Sequence, residues 1–269
     1  MSFQVIDCAQ GSPEWFGARA GCITASMFST VRAKVNTLDE KQQKYVDAKL
    51  AGKSEDEARE VAGYKTEPRA ESIKRALDGE KVGDWSDAAH AYAVRLAVER
   101  IGGEPLDEGF ETWAMRRGRE LEPQARMEHE IQSGLFVQKA GFVMTDDGAF
   151  GASADGLIDP DAGAEYKCFL DPVKLRAFWL ENDVSSVIEQ CQGGMWITGR
   201  RRWHIGLYCP ALRSIGKQLW WRIVERDDNY IEAMEQDLLE FKALVDQYEA
   251  KFRADASQAA GSILIPTTA

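Results

Sequence analysis

The sequence predicts a mixed α/β domain, and three observations lead there. Between residues 138 and 225 the hydrophobic pattern falls into short extended runs broken by turn residues. Longer stretches with apolar residues at helical spacing flank and divide those runs. Their order is helix, three strands, helix, two strands, which differs from a repeating βαβ array and predicts a mixed sheet with an antiparallel hairpin at its centre. A length of 269 residues fits one domain, 1–269, and the differently textured segment 35–80 reads as a helical subdomain inserted within it.

Taken in order, QGSPEWFGARAGCITASMFST (10–30) reads as a short helix, a glycine break and a second helix. Ser12 is a good N-cap with Pro13 in the first turn, and Thr24 and Ser26 would open the second helix. Residues 38–78 hold three short amphipathic helices, broken at Gly52-Lys53-Ser54 and Gly63-Tyr64-Lys65. Ser54 and Glu57 have capping-box spacing. This segment, with Arg69, Lys74 and Arg75 on its last helix, resembles the helix-turn-helix of phage terminase small subunits. Contact with DNA or a partner and a pure packing role both remain open for it.

Ser86 caps a helix that ends at the glycine pair 102–103. The next helix stops at Gly134, and its interior Gly118 and Pro123 predict a kink or two shorter pieces. Three extended runs follow, QKAGFVMTDDG, AFGASADGLIDP and AGAEYKCF. After them come a helix (SSVIEQCQGGMWITG), two strands (RWHIGLYC, LWWRIVER) and a long helix from Asp228 through Phe252. Beyond Phe252 a small, polar tail is expected to be loosely held.

Composition limits the function classes. A hydrophobic content of 44% with 29% charged residues is ordinary for a soluble protein, and no apolar run is long enough for a membrane span. The N-terminus has neither a basic segment nor an apolar signal core, so a cytoplasmic protein with no membrane association is expected. Five scattered cysteines without a CxxC pair argue against a zinc cage or a disulfide framework. The net charge of −11 argues against nonspecific nucleic-acid binding, but a metal-dependent site itself needs acidic residues. Arginines cluster at Arg116, Arg117 and Arg119 and at Arg200, Arg201 and Arg202; a solvated surface is the ordinary reading of such clusters.

The chemistry concentrates in SADGLIDPDAGAEYK (153–167). If 150–158 and 164–168 are strands joined by DPDAG, strand alternation puts Asp155 on one face with Ser153 and Leu157. It puts Glu165 and Lys167 together, with Tyr166 pointing away. Asp159 and Asp161 fall in the turn, where such residues are common for backbone reasons. Two carboxylates on neighbouring strands repel unless a cation lies between them, and Mg²⁺ takes hard oxygen ligands of this kind. A nearby lysine could orient or deprotonate water, or neutralise charge on phosphate. Spacing alone leaves a solvated, charged hairpin equally open.

These residues carry a resemblance. Asp155 followed by Glu165-Tyr166-Lys167 is similar to the PD-(D/E)xK nuclease signature, with Ala154 in place of the usual proline. Trp15, Arg19, Gly21 and Ile23-Thr24-Ala25-Ser26 form W-x3-R-x-G-x-I-T-A-S. Gly118 and Glu122 form G-x3-E, Ser153-Ala154-Asp155-Gly156 form S-x-D-G, and Gln190, Gln192 and Trp196 form Q-x-Q-x3-W. In order and spacing these motifs, with VERDDNYIE before the last helix, resemble the bacteriophage lambda exonuclease or YqaJ-like viral recombinase family. The match covers most of the chain outside 35–80.

The resemblance implies a restriction-endonuclease-like core with flanking helices. It implies Asp155 and Glu165 as metal ligands, helped by the main-chain carbonyl of Tyr166, and Lys167 as the catalytic lysine. Glu122 would reach the metal region and Gln190 would stand near the nucleophilic water. Arg19, Ser26 and Ser153 would hold a 5′-terminal phosphate, while Trp15 reads as core packing. The activity implied is a Mg²⁺-dependent 5′→3′ exonuclease, with Mn²⁺ able to substitute, acting on linear double-stranded DNA. It would release mononucleotides and leave a 3′ strand for a single-strand annealing protein in phage-type recombination. A ring-shaped homotrimer in the cytoplasm of a bacterial host, phage- or prophage-encoded, completes the expectation. Alternatives are an endonuclease, a single-strand exonuclease of the iron–sulfur type, for which the cysteines lack clustering, and a DNA- or partner-binding module with an inactive core.

Overall fold

A computed structural model describes residues 2–106, 112–158, 160–168 and 171–258. The strands are β1 (Phe3–Ile6), β2 (Ile23–Thr24), β3 (Phe142–Thr145), β4 (Phe150–Ala152), β5 (Gly156–Ile158), β6 (Ala162–Lys167), β7 (Arg202–Tyr208) and β8 (Leu219–Glu225). The helices are α1 (Pro13–Arg19), α2 (Phe28–Arg32), α3 (Glu40–Leu50), α4 (Glu55–Ala62), α5 (Glu71–Leu77), α6 (Asp87–Gly102), α7 (Trp113–Ser133), α8 (Pro172–Leu175), α9 (Ser185–Thr198) and α10 (Asp228–Gln258). The chain forms two compact units: residues 1–29 with 92–269, and residues 30–91.

In the smaller unit, α3 and α4 pack as a hairpin with α5 beside α3. Asp39 and Ser54 close reciprocal capping boxes with Gln42 and Glu57, and Gly63 ends α4 in the left-handed conformation. Tyr45, Val46, Ala48, Ala58, Ala62 and Ile73 form its small core.

Mixed pairing occurs in the larger unit, but in two four-stranded sheets rather than one. The first runs β1-β3-β4-β2, with only the β4–β2 pair parallel. The second runs β5-β6-β7-β8, with only the β6–β7 pair parallel. The β5–β6 hairpin therefore lies at a sheet edge, not at the centre. The expected strand 150–158 breaks at 153–155, leaving β4 in one sheet and β5 in the other. Its cause is a change of partner: the Asp155 amide donates to the Ala164 carbonyl (3.2 Å), and Leu157 exchanges two backbone bonds with Gln138 on its outer side. Asp155 thus sits in a bend immediately before a strand.

Other expectations shift in similar ways. Ser12 caps α1 as its sequence predicts, but Ile23-Thr24 pairs with β4 before any second helix begins. Pro123 lies inside one continuous helix, α7, where it removes a single backbone donor. The last helix continues past Phe252 to Gln258. Asp161 acts in the turn, its backbone and side-chain oxygens accepting from the Arg201 amide, while Asp159 lies outside the described residues. Arg200 is not a free surface cation: its Nη1 donates to the Ile158 and Ala162 carbonyls, both at 2.9 Å, and staples the hairpin.

Strand alternation divides the second sheet between two helices. Ala162, Ala164 and Tyr166 face Leu121 and Ala125 of α7. Gly163 faces Trp203, whose indole also meets Gly194 of α9. A Cβ on Gly194 would stand 2.6 Å from that fully buried ring, so glycine lets α9 lie close to β6 and β7. Gly194→Ala is expected to destabilise the fold by about 1–3 kcal/mol through overpacking. Urea unfolding reads it, and an unchanged midpoint would count against the close approach.

Candidate active site

Asp155 and Glu165 are nearly enclosed, at 8% and 6% exposure. The bend brings the Asp155 carboxylate back over β6, where its Oδ2 accepts the Tyr166 amide at 2.6 Å. Tyr166 itself points the other way, as alternation predicts. Lys167 shares a face with Glu165 and donates to Glu165 Oε1 (2.7 Å) and to Gln190 Oε1 on α9 (2.8 Å). Glu122 comes from α7 and is held by Arg126 one turn later (3.2 Å), whose other amino group reaches toward the Asp155 carbonyl (3.4 Å).

Asp155, Glu165, Tyr166 and Glu122 line a cleft of about 410 Å³ that also includes Trp15, Arg19 and Ser26. Within it, Arg19 Nη1 donates to Ser153 Oγ at 2.9 Å, and Ser26 Oγ lies 3.3 Å from Thr24 Oγ1. Arg19 forms no ion pair with a carboxylate among the described residues; its guanidinium lies 4.2 Å from the Trp15 ring centroid. The geometry therefore brings together eight of the nine sequence-derived residues as cleft lining or direct partners of it, and Gln190 joins through Lys167.

Residues 14–201 match the family model of the YqaJ-like viral recombinase domain. The chain belongs to that family. Its fold is similar to that of the alkaline exonuclease LHK-Exo from Laribacter hongkongensis, at a TM-score of 0.65 and 23% identity, covering 92% of this chain and 100% of the other. LHK-Exo in complex with dAMP superposes with a TM-score of 0.67 at the same identity and coverage. The likeness shows a PD-(D/E)xK fold. No curated protein matches in sequence. Membership implies a nuclease. Among the described residues, no helix is long and apolar enough to cross a membrane.

The electrostatics of this recombinase-family cleft are set by crowding of like charge. Burial pushes the Asp155 carboxyl well above its ordinary value, and Glu165 and Glu122 push it further. Glu122 is also raised, by burial first and by Glu165, against the opposing pull of Arg126 and Lys139. Burial works against the Lys167 ammonium, but the charge and hydrogen bond of Glu165, with Asp155 behind, hold it above the usual lysine value. Behind β6, His129 Nδ1 meets the Tyr166 hydroxyl (2.8 Å) and His129 Nε2 meets His204 Nδ1 (3.0 Å). Burial takes both imidazoles down to about 4, so they are neutral at pH 7 and brace β6 without adding charge.

Three carboxylates against one lysine and one arginine leave a local excess of negative charge. Asp155 Oδ1 has no protein partner among the described residues. Those residues contain no ready-made cage of three His, Cys, Asp or Glu ligands. Two carboxylates and a carbonyl nonetheless fit a hard divalent cation that keeps its waters or takes phosphate oxygens.

Arg126, the histidine pair and Tyr92, a cleft residue whose hydroxyl accepts the Thr24 amide (3.1 Å), escape sequence reading. Only Arg126 had a signal, its i+4 spacing from Glu122. His129 finds its partners 37 and 75 residues away.

A carboxyl that holds its proton more tightly in the folded chain weakens folding as pH rises above the ordinary aspartate value of 3.8. Asp155→Asn removes that penalty while keeping an oxygen for the Tyr166 amide. In metal-free buffer it should melt above wild type at pH 7, with the gap closing as pH falls toward 4. Equal melting at all pH values would contradict the crowding.

Proposed function

We propose that the protein is a Mg²⁺-dependent 5′→3′ exonuclease that shortens linear double-stranded DNA to mononucleotides, leaving a 3′ strand for a single-strand annealing protein. The observation that carries this reading is one cleft lined both by Asp155, Glu165 and Glu122 and by Arg19 and Ser26, with no carboxylate ion-paired to Arg19 among the described residues. An acidic cluster supplies hydrolysis, whereas a separate cationic pocket is of use to an enzyme that grips a charged DNA end. LHK-Exo holds dAMP, a mononucleotide of the class this reaction releases.

Asp155, Glu165 and the Tyr166 carbonyl would hold Mg²⁺, or Mn²⁺ in its place. When bound, the ion supplies Lewis-acid polarisation of the phosphoryl oxygens and lowers the pKa of coordinated water. Lys167, kept protonated by Glu165, stabilises charge that grows on the phosphate in the transition state. Gln190, tied to Lys167, orients the attacking water, and Glu122 draws positive charge toward the cleft. Arg19, Ser26 and Ser153 grip the terminal phosphate, an arginine and two hydroxyls being suited to a dianion. Water adds to phosphorus and the P–O3′ bond breaks, so the released nucleotide keeps its 5′-phosphate and gains a 3′-hydroxyl. The shortened strand begins with a new 5′-phosphate, and the same pocket is satisfied at each step.

A ring-shaped homotrimer acting in the bacterial cytoplasm belongs to the same reading and rests on the motif resemblance to the lambda exonuclease family alone. We assign the unit 30–91 as the inserted subdomain of a single nuclease domain.

Linear duplex labelled at one end tests the proposal. The 5′ label should leave first, as mononucleotide and only with Mg²⁺, and Asp155→Ala or Glu165→Ala should lower the rate at least 10²-fold. Arg19→Ala should act mainly on 5′-phosphorylated ends. Loss of the 3′ label first, cutting of closed circles, or normal digestion by Asp155→Ala would overturn it.

A further inference from the structure

Trp15 is neither simple core packing nor a base-stacking platform in this geometry. Its indole Nε1 donates to Ser153 Oγ at 3.0 Å, and Arg19 Nη1 donates to the same oxygen at 2.9 Å. Indole N–H and guanidinium can only donate, whereas a serine hydroxyl has two acceptor lone pairs and one hydrogen. Both lone pairs are therefore occupied by groups that cannot reverse their role. The Ser153 hydrogen has no acceptor among the described residues.

We propose that Trp15 is a positioning residue that converts Ser153 into an obligate donor, so that the cleft end favours phosphate monoesters, whose charged oxygens accept strongly, over uncharged hydroxyl ends. This deepens the reading of Arg19 and Ser153 as phosphate ligands and rests on it. The indole also fixes Arg19. Trp15 and Arg19 stand one turn apart on α1, and the guanidinium lies over the ring. Trp15 is itself held on three sides. Its amide donates to Ser12 Oγ at the helix cap, its ring packs T-shaped against Phe16 with centroids 4.9 Å apart, and its N–H is spent on Ser153. With neither donor in place, Ser153 could turn its hydrogen to a neighbour and offer a lone pair to the ligand. That arrangement would favour a hydroxyl end and repel a phosphate.

Trp15→Phe separates the two roles, since it keeps an aromatic face beneath Arg19 and removes only the N–H. The measured quantity is the ratio of kcat/KM on 5′-phosphorylated duplex to kcat/KM on 5′-hydroxyl duplex. Loss of one hydrogen bond that orients a charged contact should lower this ratio roughly tenfold, mostly through KM on the phosphorylated substrate. A merely structural role would lower both substrates alike and leave the ratio intact, which would overturn the proposal. Coupling gives a second readout. If Trp15 acts through Ser153, the ratio in Ser153→Ala should not fall further when Trp15→Phe is added. A full additional tenfold loss in that background would also overturn it. A wild-type ratio near one would instead remove the phosphate pocket itself, a failure distinct from an intact pocket that is indifferent to the indole N–H.

Discussion

The rest of the site depends on the crowding of three carboxylates against one lysine and one arginine. Asp155, Glu165 and Glu122 come from a bend, a strand and a helix; burial makes Asp155 and Glu122 harder to ionise, and the charge of Glu165 adds to that at both. Folding alone gains nothing from that arrangement, because buried like charges oppose it. The surrounding structure bears the strain: Arg126 braces Glu122, Lys167 braces Glu165, and the Tyr166 amide braces Asp155. Among the described residues, Asp155 alone of the three has no cationic side chain in direct contact with its carboxylate. Asp155 lines the cleft, and a cation bound there would offset the imbalance.

Two packing features keep these groups in register. Glycines at 163 and 194 accommodate Trp203, so that α9 lies close enough for Gln190 to reach Lys167. On the opposite face, Tyr166, His129 and His204 form a buried, neutral chain that ties β6 to α7 and β7. Hydrogen-bonding capacity there is satisfied without adding a fourth charge to the neighbourhood. The Arg19 end of the cleft is built differently, with the guanidinium bonded to the Ser153 hydroxyl and lying over the Trp15 ring.

Much of this was legible in the sequence, and the parts that were not have identifiable causes. Capping residues marked Ser12 and Ser54 because caps are local. Alternation alone placed Glu165 and Lys167 together and Tyr166 apart. The break at 153–155 was invisible because it depends on β4 and β5 choosing different partners, Gly151 against Met144 and Gly156 against Ala164. Pattern cannot report that choice. Spacing by itself left the hairpin ambiguous; the ordered motifs around Arg19, Glu122 and Gln190 joined it to a family. Trp15 was read as packing because its bond to Ser153 spans 138 residues.

Calorimetric titration of Mg²⁺ into the metal-free protein tests the central claim most directly, since it needs neither DNA nor turnover. The account predicts saturable binding to wild type at pH 7.5, abolished in Asp155→Asn and in Glu165→Gln. Absence of saturable binding to wild type, or undiminished binding to both variants, would contradict it.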